Sequence, residues 1–421
     1  MDTHRKLIVG YDLSEDYSQI SCYSYKSFEP IPICLSDIED ESSMIPTALC
    51  VKTDTRLWLF GKDGINCANN GEGILINGLL AKIRSGEKVT IFEQEYTGIN
   101  LLEKFLRKTL TLIKNYFPTD PITKLVITIR DMDSILVTGI YEALSILGIE
   151  KDRALVISHA SAFMYYALNQ DRSLWTNDVG LFDFNESALN YYQISINRRL
   201  SPMVAGLVKK DLSDVLNYQM LLYKKVNASY TFENIASSVL HKQIISTLYF
   251  TGKGFEGGWA DSIIQGLCTG RRAFIGQSMY TKGACYAAKE LSGECKLSDF
   301  ILLNDDMILS SVWLRLYTDA TMKEVPITDA AVPWYEVNGS LEVIPDEDTE
   351  IEIIIKNIMT RNQIRERLHL NDLPKRPNRM TRLLINLTCT DKVTAMIKVN
   401  DLGFGELYPA TDRNWEFIFN I

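Results

Sequence analysis

Two short apolar segments of the chain each end in an aspartate that is followed by a polar turn. The first covers residues 6–12 (KLIVGYD), and the second covers residues 179–183 (VGLFD) before the turn at 184–187. Each segment, with the extended residues after its turn, predicts a β-hairpin. Two such turns facing one another across a cleft suit nucleotide chemistry, because turn N–H groups bind phosphate and carboxylates hold Mg²⁺ with its waters. Asp12 and Asp183 are therefore candidate magnesium ligands, although an aspartate at a strand end is more often a turn former.

A glycine-rich turn supplies further candidates for nucleotide contact. Residues 251–259 (TGKGFEGGW) follow a predicted strand at 247–250. Glycine lets a ligand approach the backbone closely, but a strand-to-helix turn that needs positive φ would require the same residues. Three of these glycines and one polar residue from each hairpin turn join the aspartates as candidate cofactor-binding residues: Asp12, Ser14, Asp183, Asn185, Gly252, Gly254 and Gly257.

Strands and helices alternate between these turns, which predicts an α/β layer. The two aspartate-ended hairpins lie about 170 residues apart and suggest an internal duplication. Asp133 is a predicted N-cap for the helix that follows it. The predicted helices are 98–116, 134–147, 160–168, 212–223, 231–245, 260–267 and 280–291, and the predicted strands between them are 124–129, 153–157, 247–250 and 272–275.

The character of the sequence changes after residue 305. Apolar and polar residues alternate with period two in segments such as 350–355 (EIEIII) and 393–399 (VTAMIKV), which predicts a β-sandwich over 306–421. The apolar stretch 297–305 predicts a linker. Residues 1–296 then form the α/β domain, with lobes at about 1–178 and 179–296.

Composition excludes several classes of protein. The net charge of −9 comes from 44 Lys and Arg against 53 Asp and Glu, which disfavours nucleic-acid binding. No run of about 18 apolar residues predicts a membrane span or a signal peptide. The eight cysteines and four histidines lack local zinc-ligand spacing, so reduced thiols in a cytoplasmic protein are expected.

Taken in order, seven segments resemble the actin-like ATPase superfamily, and specifically the seventy-kilodalton heat-shock chaperones. The resemblance implies a duplicated ribonuclease H-like, actin-type α/β ATPase domain followed by a β-sandwich like a substrate-binding domain. It also implies ATP or ADP with Mg²⁺ as the cofactor of an active member. The matching segments are 8–12, 125–167, 181–183, 250–254, 276–288, 299–304 and 368–387.

The departures from that family fall where catalysis would occur. The first turn, 13–16 (LSED), has two acids and no glycine, and the second turn, 184–187 (FNES), adds an acid beside Asp183. These acids would repel phosphate. The family's later hairpin aspartate falls on Asn190, and its catalytic glutamate falls on His159. About 55 residues separate the second hairpin from the glycine-rich turn, roughly half of what the chaperones use to cover adenine.

The leading hypothesis is a chaperone-related protein that binds a protein or peptide partner through a scaffold with a degenerate nucleotide site and little or no ATPase activity. This hypothesis needs no cofactor, nucleic acid or membrane. The first alternative is an active ATPase in which Asp12 and Asp183 hold Mg²⁺ and position water. A second alternative is an actin-type structural or filament-forming protein, and a sugar kinase is the weakest candidate.

Overall fold

The chain divides into two compact units. The computed structural model describes residues 7–34, 43–223, 225–346 and 349–421, so residue 6 of the first predicted hairpin lies outside the described residues. Unit 1 consists of Met1–Ile196 and Leu207–Phe300, and unit 2 consists of Asn197–Gly206 and Ile301–Ile421. The division after Phe300 falls inside the predicted linker.

The first half of unit 1 contains a mixed sheet. In it, β1 pairs with β2 antiparallel and with β10 parallel, and β10 pairs with β11 parallel. The elements are β1 (Leu7–Leu13), β2 (Tyr17–Ser24), β3 (Glu29–Pro32), β4 (Ile45–Pro46), β5 (Leu49–Lys52), β6 (Trp58–Phe60), α1 (Gly61–Asn69), β7 (Gly73–Ile76), α2 (Leu79–Ser85), β8 (Val89–Ile91), β9 (Gln94–Tyr96), α3 (Gly98–Thr111), β10 (Ile122–Ile129), α4 (Ser134–Ile146), β11 (Ala154–Ser158) and α5 (His159–Asn169).

The strands, helices and helix cap predicted in this half of unit 1 are present. The hairpin, the strands β10 and β11, and the helices α3, α4 and α5 lie within a few residues of their predicted bounds. Asp133 begins α4, because its carboxylate accepts hydrogen bonds from the N–H groups of Ile135 and Leu136 at 2.9 and 3.2 Å. Helix α3 extends by a 3₁₀ turn at Leu112–Asn115.

The second half of unit 1 contains a second mixed sheet. In it, β12 pairs with β13 antiparallel and with β15 parallel, and β15 pairs with β16 parallel. The elements are β12 (Asp178–Phe184), β13 (Leu189–Asn197), β14 (Met203–Asp211), α6 (Tyr218–Tyr223), α7 (Lys225–Val239), β15 (Ile245–Thr251), α8 (Asp261–Leu267), β16 (Arg272–Ile275) and α9 (Met279–Leu291), of which residue 197 of β13 and residues 203–206 of β14 fall in unit 2.

Two helix predictions in this half need correction. The helix predicted at 212–223 is helical only over α6, and the strand β14 before it was not predicted. The helix predicted at 231–245 lies at α7, so its residues 240–245 are not helical. In the remaining part, β12, β13, β15, α8, β16 and α9 match the predictions.

The two sheets repeat one topology, as the expected duplication requires. In each sheet, an aspartate near the end of the first strand lies opposite an amide side chain on the hairpin partner and a threonine on the parallel neighbour. Asp12 pairs with Gln19 and Thr128. Asp183 pairs with Asn190 and Thr251. The two hairpins therefore present their turns in equivalent positions.

Helices α5 and α9 pack closely against one another and against the sheets. A Cβ atom on Gly283 of α9 would lie 1.9 Å from the carbonyl oxygen of Ala162 in α5. A Cβ on Gly10 of β1 would lie 2.3 Å from the backbone of Cys285 in α9. Phe163 of α5 packs on Tyr192 and Tyr249 of the second sheet. Glycines at these positions therefore let α9 approach α5 and β1 backbone against backbone.

Unit 2 contains two antiparallel sheets, in the orders β19-β18-β21-β22 and β20-β23-β24-β25. Buried side chains from both sheets form one core, which includes Val312, Ile353, Ile385 and Ile397. The elements from the division onward are β17 (Phe300–Leu303), β18 (Ser310–Thr318), β19 (Thr321–Thr328), β20 (Asn338–Val343), β21 (Glu350–Asn357), β22 (Gln363–His369), β23 (Arg382–Cys389), β24 (Thr394–Gly403) and β25 (Asn414–Asn420). None of the helices in the described part of the chain has the length and apolar character needed to cross a bilayer.

Candidate functional site

The two predicted aspartates meet in one cleft between the sheets of unit 1. Asp12 lies near the end of β1 and Asp183 near the end of β12, and both side chains line the cleft. Ser14, Asn185 and Gly252 line it too. The structure therefore brings together five of the seven candidate cofactor-binding residues.

The carboxylate of Asp12 is hydrogen-bonded to a histidine. The ring Nε2 of His159, the first residue of α5, lies 2.8 Å from Oδ1 of Asp12. His159 is only 2% exposed, and its other ring nitrogen has no hydrogen-bond partner among the described residues. The bond to His159 engages one of the two carboxylate oxygens of Asp12.

A tyrosine links this histidine to the second aspartate. The Tyr280 ring, from α9, stacks on His159 with ring centroids 3.8 Å apart and an interplanar angle of 15°. Its hydroxyl donates a hydrogen bond to Oδ2 of Asp183 at 2.8 Å. Burial, together with the neighbouring Asp183, holds the pKa of Tyr280 well above its usual value, so the hydroxyl stays protonated and remains a donor. Asp12, His159, Tyr280 and Asp183 thus form a continuous bridge across the cleft.

Asp183 is fully buried and has two further neighbours. The side-chain amide of Asn185 donates to its Oδ1. Burial raises the pKa of Asp183, and the nearby positive charge of Arg130 opposes that rise. Burial disfavours the charge of the Arg130 guanidinium, but the nearby Asp183 carboxylate raises the pKa of Arg130 above its usual value. Arg130 also donates a hydrogen bond to the Ser187 hydroxyl. Protein groups therefore satisfy both oxygens of the Asp183 carboxylate.

A lysine joins the two hairpin turns at the mouth of the cleft. Lys253 forms an ion pair with Glu186 of the second turn. Its Nζ also lies 5.4 Å from the centroid of the Tyr17 ring, which follows the first turn. The Glu186 carboxylate raises the pKa of Lys253, so the lysine is charged at neutral pH. The acid that was expected to repel phosphate in the second turn is thus neutralised by a neighbouring side chain.

Neither hairpin turn contains a glycine. The N–H of Asn185 donates to the carbonyl oxygen of Ala188 at 2.9 Å, within its own turn. In the first turn, Asp16 is exposed on the cleft, whereas the Glu15 carboxylate accepts a weak 3.5 Å hydrogen bond from the N–H of Ala81 in α2. Neither turn therefore has the glycine-lined amides that would bind a triphosphate.

The glycine-rich turn has a packing explanation. Gly252 has φ of +99°, and a Cβ there would lie 2.3 Å from the carbonyl oxygen of Phe184. A Cβ on Gly254 would lie 2.4 Å from the Phe184 ring, and Gly257 has φ of +82° with no atom close to its notional Cβ. The Gln277 side chain exchanges two hydrogen bonds with the backbone of Gly252 at 3.1 and 3.2 Å. Turn geometry and core contact thus account for these glycines without an adenine ring.

The predicted site therefore needs two corrections. Gly254 and Gly257 do not line the cleft, because Gly254 packs on the Phe184 ring and the notional Cβ of Gly257 faces open space. Sequence reasoning also missed Arg130, Gln277 and Tyr280, which come from separate elements that only the folded chain brings together. His159 had a signal only through the resemblance to the chaperones, which would place a catalytic glutamate at this position.

The cleft does not fit a magnesium nucleotide. The cavity volume is about 60 Å³, which is enough for about four waters at roughly 15 Å³ each. Pockets that bind drug-sized ligands usually measure about 300 to 1,000 Å³. Among the described residues, no three His, Cys, Asp or Glu side chains are grouped to hold a metal ion. This small volume, together with the hydrogen bonds that Asp12 and Asp183 make to protein groups, disfavours a magnesium nucleotide in the cleft.

The raised pKa of Asp183 predicts a pH effect on stability. Above about pH 4, the usual pKa of an aspartate, the unfolded chain loses this proton while the folded chain keeps it. Asp183 therefore makes the protein less stable as pH rises from about 4 towards its folded pKa. We expect the Asp183→Asn variant to gain stability relative to the natural chain as pH rises above about 4, measured by urea unfolding. A difference that stays constant or falls over this range would contradict the assignment.

These features define the class of protein: an α/β unit with a cleft between its two sheets, followed in the chain by an all-β unit. The chain belongs to a family of unknown function, DUF5716, whose C-terminal part matches residues 29–305. Residues 307–421 match a domain of unknown function, DUF8552. No curated protein matches the chain.

Proposed function

We propose that unit 1 is an actin-like ATPase fold whose nucleotide site has degenerated, and that the protein is a chaperone-related binder of a protein or peptide. The repeated sheet topology, with equivalent aspartates at both hairpins, supports the actin-like part of the proposal. The two antiparallel sheets of unit 2 support a β-sandwich that carries the binding function.

The observation that carries the proposal is the bridge of Asp12, His159, Tyr280 and Asp183. An ATPase of this type needs its carboxylates free to hold a metal ion and water. Here each carboxylate is hydrogen-bonded to a buried ring from α5 or α9. The protein's own side chains thus hold the two sheets together in the place where a nucleotide would otherwise do so.

A cytoplasmic location is part of the same proposal. All eight cysteines are free thiols, and four of them are buried. Free thiols persist in a reducing compartment. Immunodetection of the protein in the soluble, spheroplast-retained fraction of cells would support this location, and recovery in a secreted or membrane fraction would overturn it.

ATP hydrolysis and thermal stability test the proposal together. We expect no ATPase activity above background with Mg²⁺, and no rise in Tm at millimolar ATP or ADP. Nucleotide at 100 times its Kd would add about 2.7 kcal/mol of stability, which a thermal-shift assay detects easily. Hydrolysis that Asp12→Asn abolishes, and that the matched Asp16→Asn variant keeps, would show that the site is active.

One observation favours the active ATPase as a second candidate. Asp12 and Asp183 do line the same cleft, with Arg130 and Lys253 beside them, which is a charge arrangement suited to a phosphate-bound metal. This function requires Tyr280 to leave Asp183. Under it, Tyr280→Phe would raise nucleotide affinity, whereas under the leading proposal the same variant binds no nucleotide.

A further inference from the structure

The four edge strands of unit 2 differ in how they are protected against pairing with another strand. An edge strand with unpaired N–H and C=O groups can pair with a further strand, and proteins prevent this pairing with charged residues, proline or a covering segment of chain. Strand β22 carries the charged run Arg365, Glu366 and Arg367, and β19 contains Pro326 after two charged residues. Strand β20 packs against β19, since a Cβ on Gly339 would lie 2.2 Å from the carbonyl oxygen of Ile327.

Strand β25 has none of these protections. Its sequence NWEFIFN contains no proline and one ionic residue, Glu416, which Lys398 of β24 neutralises at 2.9 Å. Ile418 is 71% exposed on the same face. The strand ends its sheet, with β24 as its one strand neighbour among the described residues.

The hydrogen-bond phase of β25 shows which backbone groups face outward. The bonds from Asp401 N–H to the Arg413 carbonyl, and from Ile421 N–H to the Val393 carbonyl, place the odd-numbered residues in bonded pairs with β24. The N–H and C=O groups of the even-numbered residues therefore point to the free edge. These are Asn414, Glu416, Ile418 and Asn420.

We propose that β25 pairs antiparallel with β25 of a second copy of this chain, with the two-fold axis at Phe417. The strand is close to a palindrome in this register, because Asn414 faces Asn420 and Trp415 faces Phe419 of the other copy. Glu416 faces Ile418, and this pair occurs twice. The outward-facing backbone groups of the even residues then bond to one another, as an antiparallel ladder requires.

Charge selects this register over its neighbour. A shift of two residues that keeps the hydrogen-bond phase would place Glu416 opposite Glu416 of the second copy, and like charges directly opposite are destabilising. The opposite shift would pair only residues 416–420 of each β25, five residues in place of seven. A two-fold contact of this kind closes on itself, so it yields a dimer and not a filament.

Two substitutions at Ile418 test the register in the full-length chain. Ile418→Glu places two glutamates opposite one another twice, and we expect the dimer Kd from analytical ultracentrifugation to weaken at least tenfold. Ile418→Lys places lysine opposite Glu416, and we expect its Kd to stay within threefold of the natural value. Because Ile418 is exposed, both variants should keep the natural circular dichroism spectrum and Tm.

Residue-level hydrogen exchange gives an independent readout. The amides of Glu416 and Ile418 should become protected as protein concentration rises, while Phe417 is protected at every concentration by its bond to β24. A chain that stays monomeric at its highest soluble concentration would overturn the proposal. Equal weakening by Ile418→Glu and Ile418→Lys would also overturn it, because that result indicates a nonspecific apolar contact without this register.

Discussion

Replacing Asp401 by alanine is expected to lower the free energy of unfolding of unit 2 by about 3 to 5 kcal/mol, the usual cost of breaking a buried ion pair. The Asp401 side chain is fully buried and that of Arg376 is 6% exposed. Arg376 donates two hydrogen bonds to the carboxylate at 2.7 and 2.8 Å. The variant would leave this guanidinium charged and buried without its partner.

The loop between β24 and β25 depends on the same carboxylate. Asp401 also accepts hydrogen bonds from the N–H of Gly403 at 3.0 Å and from the hydroxyl of Thr411 at 2.7 Å. Although burial opposes its charge, Arg376 and Thr411 hold the pKa of Asp401 well below its usual range. Its stabilising effect is therefore present above about pH 4 and is lost as pH falls through the folded pKa.

Denaturant unfolding at pH 7 measures the cost of Asp401→Ala, and hydrogen exchange of β24 and β25 locates it. Arg379→Ala is the matched control, because the ion pair of Arg379 with Asp346 is exposed and surface ion pairs contribute little to stability. The Asp401→Ala cost should shrink as pH falls towards 3. Equal costs for the buried and exposed pairs would contradict the role given to Asp401.

Replacing Gly283 by alanine is expected to destabilise unit 1 by about 2 to 3 kcal/mol, within the range for overpacking a core. The added Cβ would lie 1.9 Å from the Ala162 carbonyl oxygen and 2.6 Å from its carbonyl carbon. Both are backbone atoms of α5, so they move only if the whole helix moves. Such a movement would also displace His159, the first residue of α5, from Asp12.

Gly266→Ala is the matched control for this prediction. Gly266 lies in α8, and no atom lies within 4 Å of its notional Cβ. Alanine in an open helical position stabilises by about 0.5 to 1 kcal/mol. Thermal unfolding of the two variants should therefore shift Tm in opposite directions. A Gly283→Ala protein as stable as the natural chain would show that α5 and α9 do not meet in solution as they do here.

The parts of the fold that sequence predicted are those set by local signals. Strand alternation and the Asp133 cap depend on neighbouring residues, and the hairpins of Asp12 and Asp183 were located from them. Strand β14 was missed because its apolar start leads into the polar run Lys209–Asp211, which carries little strand signal. The helix predicted after it began six residues too early for the same reason.

The site was predictable only in part, since its key contacts join distant residues. Tyr280 bonds Asp183 across 97 positions of sequence, and His159 bonds Asp12 across 147. No spacing rule connects such pairs, so the carboxylates could be identified from the sequence and their hydrogen-bond partners could not. The glycine-rich turn shows the reverse error, because Gly254 looks like a ligand contact in sequence and packs on Phe184 in the fold.

Isothermal titration calorimetry of ATP with Mg²⁺ into the purified chain tests the central claim most directly. The bridge from Asp12 through His159 and Tyr280 to Asp183 predicts no saturable binding with a Kd tighter than about 1 mM. Saturable binding in the micromolar range, lost in Asp12→Asn and retained in Asp16→Asn, would contradict the account, because it would mean that the bridge opens to admit a nucleotide.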